Sequence, residues 1–480
     1  MRDEDVLITD FRYLSEVLLL VNVSVSFFLA CMLYAVNYTL AMGVVQISGA
    51  FAVANIFYYR MSWSDSQTGT RTKFLCSFLP YVVLLVIAGI AAYYPIISAG
   101  GKNISQPEFY TIDLNNSKLI VSAAISPVMG FFGEITTAAV VALALSLYFV
   151  TDSRYVLKRI LAACLLPVAL LAVLGFAMAF FDGKNSVINL GVIGKNSFSV
   201  FADSAHWAAF AILWLGVSFM VMLYQGQRFD MGGFVLSKRF LFLAVAVLLY
   251  ASVIYVNTAV YGIIASLVFS CGMVILAIDA FPDKKTQIKY WPYPNERFAI
   301  SPKIKCILPC VLYALLAAAG LFFAAKYAFG TADYYYFFNP QNSGAISVAD
   351  KDCIFADIYP IIKSRPYFGW GVMSFPYLYG FFQGADMGQA LWGTSGSSLL
   401  DALMQRGYVG IALCLIVPII YAVCFFVKNK ISASVIAACI GLLGLAITAL
   451  FANVLQSSLV CLSYMLVLFA VFSWGKAKIR

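Results

Sequence analysis

The chain reads as an all-α, polytopic integral membrane protein, and three observations predict that class. Hydrophobic residues make up 62% of the 480 residues and charged residues only 11%, against about 25% charged in an ordinary soluble domain. Apolar runs recur from end to end, many close to the ~20 residues that a helix needs to cross ~30 Å of hydrocarbon. Lysine and arginine, thirdly, collect in alternate connections between those runs. A water-facing surface cannot be built from this inventory, so lipid is the main solvent. In lipid each backbone amide must pair within its own helix or a closed barrel, and the runs lack the strict alternation of barrel strands.

The runs place about twelve spans, near 15–36, 38–59, 74–97, 127–150, 160–181, 204–225, 240–256, 258–279, 305–326, 408–427, 433–452 and 454–474. Residues Met1 to Arg12 are polar and the first run is long enough to stay as a span, so no cleavable signal peptide is expected. With both termini cytoplasmic, one set of connections plus the tails holds 22 of the 31 basic residues. The opposite short connections hold Lys102, Lys118, Lys184 and Lys195, which is the sorting that the positive-inside rule predicts. The net charge of +9 is consequently an orientation signal facing anionic lipid headgroups, and no nucleic-acid partner is expected.

Of eleven cysteines, ten fall in the predicted spans and only Cys353 falls clearly in an extramembrane segment. Cys306 and Cys310 have no histidine beside them, and His206 is the only histidine in the chain. Neither a disulfide framework nor a metal site is predicted.

Two outer segments are longer than a simple connection. Residues 98–126 are polar. The larger segment divides the chain into spans one to nine over 1–326, an extracytoplasmic loop over 327–407, and spans ten to twelve over 408–480. Its abundant Tyr, Phe, Trp and Gly argue against disorder, and a loop of this length in a compact protein is commonly functional. Amphipathic helices are expected over Ala349 to Lys363 and Ser397 to Gln405, lying on the membrane surface.

The stretch Asp357 to Phe375, DIYPIIKSRPYFGWGVMSF, and the later SGSSLLDALMQRGYVGIALCL leading into span ten carry a resemblance. They resemble the bacterial O-antigen polymerase and O-antigen ligase superfamily, in which an amphipathic helix precedes a P-x-x-G-x-G-x-x-x-F pattern and a helix ending in G-x-x-G. Here the pattern falls on Pro366, Gly369, Gly371 and Phe375, with Gly407 and Gly410 closing it. Phe201, Asp203 and Ala208 look like the start of that family's sixth span. Topology matches over the whole chain and motif over about sixty residues. Two places depart: a family His-Asn is replaced near Ser395 to Ser397 (TSGSS), and a Ser-Arg motif reads NTAVYG from Asn257 to Gly262. The missing histidine favours a polymerase over a ligase.

The resemblance implies a glycosyltransferase of the bacterial inner membrane that polymerises, or ligates, polyprenyl-pyrophosphate-linked oligosaccharide units into a surface polysaccharide at the outer face. No cofactor, nucleotide sugar or metal is implied. The implied partners are the lipid-linked glycan, an acceptor glycan or lipid, membrane lipids and a chain-length regulator.

That chemistry leaves a pyrophosphate with extra negative charge, which fixed cations aimed at it stabilise. Arginine suits this best, because its planar fork meets two phosphate oxygens and does not titrate. Outer cations are scarce, so Arg365, Lys363, Arg406 and Lys195 are the candidates for pyrophosphate binding, against the plainer reading of headgroup-facing charges. A general base for the acceptor hydroxyl has His206, Asp203, Asp357 and Asp401 as candidates. Glu134, about two turns inside span four, is placed to line an acceptor path, since a carboxylate there usually faces a cavity or partner, with a protonated, hydrogen-bonded structural carboxyl as the competing reading. Trp370 and Trp392 are placed to stack on sugars, with an interfacial aromatic belt as the competing reading. The rival function is a lipid-linked oligosaccharide flippase or other secondary transporter. It suits the span count, but such proteins bind substrate near the bilayer midplane through charged or broken helices, and this chain has few intramembrane charges.

Overall fold

The computed structural model describes residues 2–34, 37–60, 97–99, 110–112, 127–151, 153–181, 198–201, 203–224, 238–256, 259–280, 302–329, 348–371, 374–382, 395–412 and 432–476. These residues are almost entirely helical. The helices are α1 Arg2–Leu33, α2 Tyr38–Arg60, α3 Pro127–Val150, α4 Arg154–Phe181, α5 Ser204–Tyr224, α6 Lys238–Val256, α7 Ala259–Ala280, α8 Pro302–Phe329, α9 Val348–Ser364 and α10 Phe375–Phe382. Three more complete the series: α11 over 398–412, then α12 Ala433–Phe451 and α13 Ser458–Lys476. One short antiparallel ribbon departs from the all-helical expectation. In it β1 Ile97–Ala99 pairs with β2 Tyr110–Ile112, Ile97 opposite Ile112, inside the stretch read as a polar connection.

Among the described residues, seven helices carry a stretch long and apolar enough to cross a membrane, those in α1, α2, α4, α5, α6, α7 and α12. Shorter apolar stretches lie in α3, α8 and α13. The chain thus has the helices of a multi-pass membrane protein. Residues 74–96 of the span expected at 74–97, and the part of the tenth beyond residue 412, lie outside the described residues.

Buried hydroxyls keep these helices intact in an apolar medium. Ser218 donates to the Leu215 carbonyl at 2.7 Å, Ser252 to Leu249 at 2.7 Å, Ser463 to Leu459 at 2.9 Å and Thr448 to Gly444 at 2.8 Å. Each hydroxyl is satisfied by its own helix, so it can face an apolar neighbour without a desolvation penalty. Amides tie neighbouring helices instead: Asn22 on α1 donates to the Ser48 carbonyl of α2 at 3.1 Å, and Gln46 on α2 to Thr136 on α3 at 2.9 Å. Such cross-helix bonds are each worth about 1 kcal/mol in a membrane interior.

Helix α5 is the axis of the bundle. Nearly all of its residues are buried, and α12, α6 and α7 pack around it, with α4 and α13 alongside. Trp207 and Trp214 are fully buried in it, and the Trp214 ring meets Phe27 of α1 at 5.1 Å. Against α12 the approach is closest at Gly216. A side-chain carbon there would lie 2.7 Å from the Gly441 Cα, so the two backbones touch, as small residues permit in membrane bundles.

The two ends of the bundle differ in charge. At the end where α4 begins and α13 finishes, Arg154 donates to the Trp474 carbonyl at 3.1 Å. Lys158 lies 5.2 Å from the Tyr224 ring, and Arg239 pairs with Asp279 at 3.7 Å. These are cations from the set assigned to the cytoplasmic side. The opposite end gathers the connections after α1 and α12 and the segment before α5.

A Gly216→Val substitution should force α5 and α12 apart. Overpacking of this kind costs about 1–3 kcal/mol, more where backbone must move. The purified protein should therefore unfold at a lower temperature in a detergent melting assay, and an equal loss should follow Gly441→Val.

Candidate functional site

At that opposite end, three chain segments meet through polar side chains. The backbone before α5 forms a small loop in which Phe198 and Phe201 exchange two hydrogen bonds of 3.1 Å. Asp203 then caps α5, its Oδ1 accepting from the Ala205 amide at 2.9 Å, as a carboxylate at a helix N-terminus does. One residue further on, His206 points across to the break between α12 and α13, where its Nε2 lies 2.9 Å from the Asn453 carbonyl oxygen.

That break is short. Helix α12 ends at Phe451, a single 3₁₀ turn spans Val454–Gln456, and α13 starts at Ser458. The backbone groups freed there are taken up by the first turn of α11. The Ser398 amide and hydroxyl donate to the Ala452 carbonyl at 3.3 and 3.1 Å, and the Leu455 amide donates to the Ser398 hydroxyl at 3.1 Å. Asn453 is clamped at both ends of its amide. Its Nδ2 donates to Asp401 Oδ2, and its Oδ1 accepts from Ser398 Oγ at 3.3 Å. The second Asp401 oxygen accepts from the Ser395 amide at 3.0 Å.

Asp401 is 4% exposed. Burial pushes its carboxyl up to about 6, and the bonds from Ser395 and Asn453 pull the other way without cancelling it. Desolvation favours the neutral form and donors favour the anion; here desolvation is the larger effect. Tyr34, on the connection after α1, adds a hydroxyl contact of 2.9 Å to Ser457, and Tyr38 one of 2.8 Å to Ser458.

Beside this network the loop has its own small core. Ile354, Ile358, Ile361 and Ile362 form the buried stripe of α9, and they pack with Trp370, Phe375, Leu378, Tyr379 and Met404. The spacing of three and four is that of an amphipathic helix. Phe375 and Tyr379 stack at 5.1 Å, and the Tyr379 hydroxyl donates to Asp357 Oδ2 at 3.0 Å.

The glycine pattern is a backbone clasp. In an unbroken helix the amides of Tyr408 and Val409 would bond the carbonyls of Met404 and Gln405. Instead the Trp370 and Gly371 amides donate to those carbonyls at 2.9 Å each, and Tyr408 and Val409 donate to Pro366 and Tyr367 at 2.7 and 3.0 Å. Two helical bonds are thus exchanged for four bonds between segments. The exchange turns on Gly407 at φ 64° and Gly369 at φ 68°, backbone conformations that side chains resist. A side-chain carbon on Gly369 would also come within 2.6 Å of the Met404 oxygen.

Arg365 closes this clasp from beneath. It is buried, and its guanidinium lies 4.6 Å from the Trp370 ring centre, while the indole N–H donates to the Ile361 carbonyl at 3.0 Å. Burial lowers the guanidinium pKa from its ordinary value.

The structure therefore brings His206, Asp203 and Asp401 to one end of the bundle, and joins His206 to Asp401 through Asn453. Arg365 and Trp370 sit in the neighbouring loop core. Trp370 is 1% exposed, and Arg365 covers it, so this indole packs the loop. Lys363 is exposed at the end of α9 and Arg406 half-buried in α11; Asp357 lies on α9 against Tyr379. Lys195 and Trp392 lie outside the described residues, and Glu134 is described only as backbone within α3. Among the described residues no group of three or more His, Cys, Asp or Glu is placed to hold a metal ion. Asn453 and Ser398 are the members that sequence reasoning missed. The available signal was an asparagine between two apolar spans in FANVLQSS, where an unpaired amide would be costly. No family model matches the chain, and no curated protein matches it.

The raised carboxyl of Asp401 gives a pH signature. A carboxyl that titrates near 6 when folded and near 3.9 when unfolded binds its proton more tightly in the folded state. The folded protein is then favoured most below pH 4, and that advantage, roughly 3 kcal/mol, is lost as pH rises through 6. Melting curves from pH 4 to 7 should show this fall in the native protein, and Asp401→Asn should remove most of the slope.

Proposed function

We propose that the chain is a membrane glycosyltransferase which polymerises, or ligates, oligosaccharide units carried on a polyprenyl pyrophosphate, at the outer face of the bacterial inner membrane. The observation that carries this reading is the meeting of two features at one end of the bundle. One is the His206–Asn453–Asp401 network; the other is the glycine clasp, with Arg365 buried beside it and Lys363 and Arg406 nearer the surface on α9 and α11. The end in question is the one away from Arg154, Lys158 and Arg239, and the sorting of basic residues supports reading it as the outer end.

The reaction asks for two things from the protein. One is a positive field where the pyrophosphate leaves. Arg365 is a fixed cation in a poorly solvated core, where its field is screened less than in water. Burial makes its charge costly, and an anion arriving at the loop surface lowers that cost. Arg406 and Lys363 are nearer the surface and supply direct contacts to phosphate oxygens. The other need is an acceptor for the hydroxyl proton, which must stand within hydrogen-bond reach. His206, half-buried at the start of α5, is the group in the network whose ring offers a nitrogen lone pair to that proton. Polymerase is preferred to ligase, because Ser395 to Ser397 stand where ligases carry histidine.

Gene deletion followed by mass spectrometry of extracted lipid-linked glycans tests this reading. Loss of a polymerase should leave single repeat units on their carrier at the outer leaflet, and loss of a ligase long chains still on lipid. Units trapped on the cytoplasmic leaflet would replace this reading by a flippase. Arg365→Ala, expressed at the native level, should lower the polymer recovered on complementation at least tenfold.

A further inference from the structure

We infer that His206 is held as the Nε2–H tautomer by the Asn453 carbonyl, and that Nδ1 is the nitrogen that takes the acceptor proton in the proposed transfer. The inference deepens the glycosyltransferase reading and rests on it for the identity of the proton donor; the tautomer itself rests on geometry alone.

A carbonyl oxygen carries no proton, so a ring nitrogen 2.9 Å from it has to be the donor. Nε2 is therefore protonated, and in the neutral imidazole the lone pair resides on Nδ1. No hydrogen bond from any described residue reaches Nδ1, and the side chain is half-buried. The base is thus on Nδ1 of a half-buried ring at the bundle end.

The carbonyl that fixes the tautomer does not move freely. The Asn453 side chain is held by Asp401 and Ser398, and the neighbouring Ala452 carbonyl is held by the Ser398 amide and hydroxyl. A ring oriented through one nitrogen so that the other does chemistry is the arrangement found in general-base histidines, where a third group sets the tautomer. Here a backbone carbonyl takes the part that a carboxylate often plays. Asp401 itself acts on Asn453 and makes no hydrogen bond to the ring.

The step balances as follows. An acceptor hydroxyl oxygen forms a bond to the anomeric carbon of the lipid-linked glycan while that carbon's bond to phosphate oxygen breaks. The polyprenyl pyrophosphate departs with the bonding pair. The hydroxyl proton passes to Nδ1, giving an imidazolium that later releases it to water.

Because the chain has one histidine, its ring can be observed without assignment. The full chain, purified through a non-histidine tag, labelled with ¹⁵N-histidine and reconstituted in lipid, should give one pair of ring signals above neutral pH. Nε2 should appear protonated and Nδ1 unprotonated; the reverse pattern would overturn the tautomer. A second arm uses His206→Gln, whose amide N–H keeps the bond to Asn453 but brings no base to the Nδ1 position. This variant should melt at the native temperature yet lower the ratio of polymer to single repeat units at least tenfold in the deletion strain, since general bases contribute about 10²–10⁴-fold. Native polymer from His206→Gln would overturn the role of Nδ1. If the native chain itself transfers no glycan, the parent reading falls, while the ring spectrum still decides the tautomer.

Discussion

Hydrocarbon leaves no water for a backbone amide or carbonyl, and that constraint governs where this chain can stop being helical. A helix interrupted in or near the bilayer frees several polar groups, each costing several kcal/mol if left unpaired. Breaks therefore occur only where other chain segments take those groups over. Two such breaks lie at the same end of the bundle. At Gly407 the turn segment over 366–371 supplies the missing partners; between α12 and α13, Ser398 does so. Both sets of partners flank α11 or belong to it, so α11 couples the loop core to the bundle. The Asp401–Asn453 bond is the junction between them.

The same economy accounts for the position of the network. Helix α5 is buried along nearly its whole length, so its start is one of the few places where a polar side chain on it can meet other segments. His206 lies in the first turn of the helix. The opposite end of the bundle is occupied by Arg154, Lys158 and Arg239 with their aromatic and acidic neighbours. A polar constellation built from uncharged bonds and one carboxyl fits the end that lacks that cluster of cations.

Much of the fold was legible because lipid imposes a simple rule on sequence. Long apolar runs had to be helices, and α1, α2 and α4 to α7 lie where the runs lie. The isoleucine spacing of α9 announced the loop helix, and the glycine pattern marked the clasp before its geometry was known. What Gly369 and Gly407 do was not legible, because a left-handed residue inside a helix depends on a partner strand forty residues away. Asp401 and His206 were visible as titratable residues, yet their connection was hidden. It runs through Asn453, an uncharged residue 52 positions from Asp401 and 247 from His206, and no local pattern encodes such a distance. The packing of Trp370 was hidden for a related reason: aromatic residues suit a sugar platform and a small core equally well until their neighbours are known.

The central claim is that a carboxyl and an amide, facing one another at 401 and 453, fasten the loop to the bundle and hold His206 in place. Exchanging the two residues tests it most directly. In Asn453→Asp alone, two carboxylates oppose each other in a buried site, so the melting temperature should fall, and fall further as pH rises above 6. In the exchanged pair Asp401→Asn/Asn453→Asp, Ser395, Ser398 and the cross-segment bond all regain complementary partners. The exchanged protein should recover most of the native melting temperature and polymer output; if it is no better than Asn453→Asp alone, the junction does not exist as described.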